Sequence, residues 1–279
     1  MGWHRFTRAM PSFAADPVHP TEALRVATDN LYSAFGKLPF DPSMAHEPAS
    51  VTNDDLELLG QNVRTLPPAL VARFVLKAGT TWGGPDDFRR IAPRALELAA
   101  DQQLPIDRGL LWAKMRWAGW TEWPTQQNVT VRVFLRCEWA RRLRSSPRPT
   151  HVAHRWLRYA ADGLDDLAPY LSEWHVALDP SSPAPFHRAA TGHLVLLLVN
   201  SPLRPDLPST IGDVFPAHPD AAEQVKEWLA DPTTSELLDR ARILLADTSD
   251  ARRVGVAVDR LFRFTTAMRR HRASPSPTP

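Results

Sequence analysis

Apolar residues along this chain recur every three or four positions from Pro20 almost to the end. No stretch alternates every second residue over the length of a strand. That pattern predicts an all-α fold of about eleven short to medium helices. Leu24, Ala27, Leu31 and Phe35 share one face of the first helix, which opens at Pro20-Thr21 and stops near Gly36. A T-x-x-D start signal at Thr52 to Asp55 begins a short helix carrying Leu56, Leu59 and Val63. Pro67-Pro68 begins the next, with Leu70, Val71, Phe74, Val75 and Ala78 inward.

The stretch from Thr80 to Trp123 holds five of the ten tryptophans: Trp82, Trp112, Trp117, Trp120 and Trp123. Gly83-Gly84-Pro85 is a turn signal, and Asp86 and Asp87 follow where the helix dipole favours negative charge. Phe88, Ile91 and Ala95 continue at helical spacing. Pro93 falls inside that run and predicts a kink or split near Ala92. A second helix, 107–118, carries Leu111, Met115 and Ala118 on one side. Indoles bury large areas, so we expect a hub in which most of these rings are interior. The alternative is an aromatic-lined groove for a ligand or peptide.

Pro124 opens a longer helix to Arg144, with Val129, Val133, Phe134, Cys137 and Ala140 in one apolar arc. Arg132, Arg136 and Arg142 fall at its edges or beyond. Ser145 to Pro149 reads as a linker. Helices then follow over 151–163, 165–178, 186–199, 220–230, 234–245 and 250–272, and 201–219 reads as a long proline-marked connection. The expected organisation is an irregular arm over 1–19, a Trp-rich half over 20–145, a second helical half over 150–272 and a disordered tail over 273–279. No fixed repeat period is present, so an irregular bundle and a HEAT-like array fit equally.

Composition narrows the function. The net charge is only +2, unlike the strong single-sign field of a dedicated nucleic-acid binder. Cys137 is the only cysteine, which excludes an intramolecular disulfide or a cysteine-built zinc cluster and suits a reducing, cytoplasmic setting. The longest apolar run, Leu194 to Val199, is too short to span a bilayer, so no membrane is expected.

Several segments resemble a bacterial protein family without an assigned activity. They are Leu31, Tyr32 and Phe35 in the first helix, then Thr81, Gly83, Asp86, Asp87, Phe88 and Arg89. Pro93, Arg94, Leu96, Glu97 and Leu98 follow, and last Lys114, Ala118, Trp120, Trp123 and Pro124. The likeness covers about residues 20–145 and implies no catalytic residue and no cofactor. Two departures stand out. The family's cysteine-rich segment is missing between Ser43 and Pro48, and Gln126 and Gln127 stand where a glutamate is usual. Metal or carboxylate chemistry elsewhere in the family is therefore not expected here.

The densest charged set is Asp86, Asp87 and Glu97 with Arg89, Arg90 and Arg94. Adjacent carboxylates diverge on a helix and make poor acid–base partners. Arg90 and Arg94 lie one turn apart and could form an anion site, although a solvated helix start is the commoner meaning. His151 and His154 could share a metal, but no acidic residue completes the set, and His187 and His193 are too far apart on one helix. No nucleophile elbow, phosphate-binding loop or dinucleotide fingerprint occurs. Cys137 sits on an apolar face, which predicts an unreactive thiol.

The last helix differs. Val254, Val258, Leu261, Thr265 and Met268 cover one face, and Arg252, Arg253, Arg260, Arg263 and Arg270 cover most of the opposite one. A run of charge is usually a solvated face. The functional meaning is contact with an acidic protein, nucleic acid or anionic lipid. The expectation is a non-catalytic cytoplasmic protein that binds another protein. A nucleic-acid-associated protein using the same arginines is the rival, and an enzyme using the region from Asp86 to Arg94 is a third possibility.

Overall fold

The computed structural model describes residues 19–148, 152–200 and 208–273. The expected arm, apart from His19, and the tail beyond Ala273 lie outside the described residues, as does His151. Among the described residues the fold is all-α, with thirteen α-helices and no strand.

The first six helices are α1 (Pro20–Phe35), α2 (Asn53–Gly60), α3 (Pro68–Lys77), α4 (Pro85–Ala100), α5 (Arg108–Trp117) and α6 (Thr125–Leu143). Then come α7 (Ala153–Ala161), α8 (Ala168–Leu178), α9 (Ala184–Asn200) and α10 (Ile211–Val214). The last three are α11 (Pro219–Ala230), α12 (Pro232–Leu244) and α13 (Ala251–Ala273). Start signals act as expected. The Thr52 hydroxyl accepts from the Asp55 amide while the Asp55 carboxylate accepts from the Thr52 amide. Asp87 accepts from the Gly84 amide at 2.8 Å and fixes the start of α4. Gly83, with φ +62°, makes the turn before it.

Of the kink or split expected at Pro93, the split does not occur. The helix runs through it from Pro85 to Ala100 with Pro93 buried. Losing one backbone hydrogen bond is offset by packing on a helix buried along much of its length. The expected connection 201–219 is also partly helical, since α10 and a 3₁₀ turn at Pro208–Thr210 lie within it.

Helix α1 packs chiefly on α6, far along the chain, and α13 packs on α9 and α12. Contact between elements so distant in sequence belongs to an irregular bundle; a repeat array stacks each unit on the next. Buried apolar side chains form one connected cluster from Leu24 to Met268, and it passes across the expected linker. His193 of α9 secures that crossing. Its Nδ1 accepts from the Ala153 amide at 3.2 Å, and its Nε2–H points to the Arg142 and Ser145 carbonyls at 2.9 and 3.0 Å.

Four of the five indoles between Thr80 and Trp123 are buried, but they do not all meet one another. Trp112 of α5 meets Trp156 of α7 edge-on at 6.1 Å, and Trp156 meets Trp139 of α6 at 5.0 Å. Trp139 meets Trp174 of α8 at 5.6 Å, and Trp174 stacks on Trp228 of α11 at 4.9 Å. This column of five rings joins both halves of the chain. Trp82, Trp120 and Trp123 are buried elsewhere, each against a different neighbour. Trp82 packs on Phe74, Trp123 on Phe35, and the Trp120 indole donates to the Gly163 carbonyl.

Candidate functional site

The charged set at the start of α4 is structural mortar. Arg90 is buried and donates to the Leu59 and Gln61 carbonyls at 2.6 and 2.9 Å, closing the C-terminal end of α2. Burial lowers its pKa from the ordinary guanidinium value, and neighbouring Asp87 works against that. Arg94 donates to the Leu66 carbonyl and pairs with Glu97, which also accepts from the Tyr32 hydroxyl at 2.6 Å. Both arginines are therefore committed to internal acceptors, which fits neither the solvated helix start expected from the sequence nor the anion site weighed against it. Asp86 projects into solvent, while burial raises the pKa of Asp87.

The rings Trp82, Trp112, Trp120 and Trp123 are all buried, and Trp112 lines a small cleft with Phe134, Trp156 and Tyr159. Trp112 packs onto Gly163, where an added Cβ would lie 2.5 Å from the indole. Trp117 departs from the expected burial. It is half exposed and lies flat on Gly79, beside the Lys114 ammonium, which donates to the Ala78 carbonyl.

Other groups are equally occupied. Burial pushes the Cys137 thiol up to about 11, which keeps it protonated and unreactive. Burial pushes His193 down to about 4, so it stays neutral and structural. Among the described residues no group of three or more His, Cys, Asp or Glu is placed to hold a metal. Arg142, expected at a helix edge, is buried and paired with Glu138 one turn away.

The arginines of α13 divide by angle. Arg263 and Arg270 follow Arg252 by about three and five helical turns, so all three share one meridian. That meridian faces solvent, opposite buried Val254, Ala257, Leu261, Phe264 and Met268. Arg252 and Arg263 make no ion pair or hydrogen bond among the described residues. Arg260 does not belong to this solvent-facing meridian: it donates to the Leu198 and Val199 carbonyls at 2.8 and 2.9 Å and closes the end of α9. Arg253 lies on the same flank as Arg260 and lines a cavity beside α9.

Sequence reasoning missed Phe262, which is 71% exposed on the outer side of α13. Its position one turn before Thr266 and about a quarter-turn from Arg263 was available from the wheel. The sole acidic residue of α13 is Asp259, against seven arginines. Among the described residues no helix is long and apolar enough to cross a membrane. Comparison with protein-family models, curated proteins and solved structures finds no match, so the resemblance of residues 20–145 to a bacterial family rests on its motifs alone.

Proposed function

We propose that this is a non-catalytic cytoplasmic binding protein that docks an acidic protein surface on the outer face of α13. The observation that carries this reading is the exposure of Phe262 among Arg252, Arg263, Arg269 and Arg270. Aromatic and arginine side chains are the types that anchor protein interfaces. Gly255 adds support. It costs α13 about 1 kcal/mol of helix stability relative to alanine. No atom lies within 4 Å of where its Cβ would stand, so packing inside the molecule does not call for it. A bare helix surface lets a partner approach closely.

The test is site-specific cross-linking of the full-length protein in its native cell. A photo-reactive residue replaces Phe262, and a control version replaces Glu57 on α2. The expected result is one dominant protein adduct at position 262, absent from position 57, and lost when Arg252, Arg263 and Arg270 are changed to glutamate. Nucleic-acid adducts, the same adducts at both positions, or no adduct at position 262 would overturn the reading.

A further inference from the structure

Between α7, α9 and α13 lies a cavity of about 630 Å³. That is within the range of small-molecule sites, roughly 300–1,000 Å³. Its wall combines two chemistries. Val152, Ala189, Val195, Leu196, Leu245 and Val254 supply an apolar lining. Arg155, Arg188 and Arg253 supply charge, with Asp250 as the one acidic residue. The three arginines come from three different helices, so no local sequence pattern reveals their meeting.

Arg188 and Arg253 form no ion pair among the described residues, and both are exposed at this wall. Like charges gathered around one concave surface repel, and the low-dielectric walls focus their field. The helices add to it. Lining residues include members of the first turns of α7, α9 and α13, whose N-terminal ends carry partial positive charge. Val152, the N-cap of α7, contributes no side-chain acceptor. His154 also lines the wall, and its buried Nδ1 makes no hydrogen bond within the protein. Asp250 is the one carboxylate on this wall, set against Arg188 and Arg253.

We propose that this cavity binds a small organic phosphate, its apolar body against α9 and its phosphate among Arg155, Arg188 and Arg253. A phosphate monoester carries about −1.5 to −2 charge at neutral pH. That suits Arg188 and Arg253, unpaired among the described residues. Arginine suits the group because its planar fork meets two phosphate oxygens at once. The inference is independent of docking on the outer face of α13, because Arg188 and Arg253 lie off that meridian.

The experiment is isothermal titration calorimetry on the full-length protein with three probes: 1-naphthyl phosphate, 1-naphthol and inorganic phosphate. The expected result is that 1-naphthyl phosphate binds at least tenfold more tightly than either of the others. Arg188→Gln and Arg253→Gln should each weaken it about tenfold, while Arg263→Gln on the outer face leaves it unchanged. Circular dichroism melting of each variant confirms that the fold is intact. The proposal is overturned if 1-naphthol or inorganic phosphate binds as tightly, if folded Arg188→Gln binds as wild type does, or if no probe binds at millimolar concentration.

Discussion

The two ends of the molecule use arginine in opposite ways. Around α4, Arg90 and Arg94 donate to backbone carbonyls at the end of α2 and in the connection to α3, and their exposure is low. Along α13, Arg252 and Arg263 point to solvent with no protein partner among the described residues. The sequence looks similar in both places, with arginines at helical spacing beside an apolar stripe. The difference is what packs opposite them. The end of α2 and the connection to α3 present their carbonyls to α4, whereas among the described residues nothing covers Arg252 and Arg263 on the outer side of α13. A cationic helix face is mortar where it meets loop backbone, and faces solvent where it does not.

The largest effect should come from the aromatic column that joins the two ends. Trp139 is fully buried, touches Trp156, Tyr170 and Trp174, and donates to the Tyr170 carbonyl at 2.9 Å. Trp139→Ala should cost about 3–5 kcal/mol and melt both halves in one step. Two separated transitions in calorimetry would show that the halves are energetically independent.

Acid should come next. His193 is held neutral by burial, with a pKa pushed down to about 4 from an ordinary 6.5. The unfolded chain binds that proton more readily than the fold does. Stability is therefore fully present above about pH 6.5 and falls as the pH drops towards 4, by up to about 3 kcal/mol from this group. Thermal melts across that range should show the fall, and His193→Gln should flatten the slope while lowering stability at pH 7. An unchanged slope would place the acid sensitivity elsewhere.

A smaller loss should follow from Arg260→Gln. Its two bonds to the end of α9 involve a partly exposed side chain, so about 1 kcal/mol is expected in urea melts. A change below measurement error would return Arg260 to the solvent-facing meridian.

The all-α architecture was legible because amphipathic spacing and proline or Asx start signals are local. Thr52, Asp87 and Pro68 each act in the fold as their positions suggest. What the pattern could not show depends on contacts between distant segments. Pro93 continues its helix because of what surrounds it, and that information is tertiary. Trp112 was expected in the interior of the Trp-rich half, and its ring partner is Trp156, in the other half. The five arginines of α13 looked like one stripe, but Arg253 and Arg260 lie a flank away from the rest, where α9 happens to pass. The wheel contained that angle; the position of α9 was not in it.

The central claim is that guanidinium groups hold the fold together at α4, whereas those on the outer meridian of α13 face solvent. Urea melts of Arg90→Gln and of the triple variant Arg252→Gln, Arg263→Gln, Arg270→Gln test it most directly. Arg90→Gln removes charged donors from two carbonyls and should lose about 2–3 kcal/mol. The triple variant should stay within about 0.5 kcal/mol of wild type, because exposed charges contribute little to stability. A triple variant that unfolds, or an Arg90→Gln protein as stable as wild type, would contradict the account.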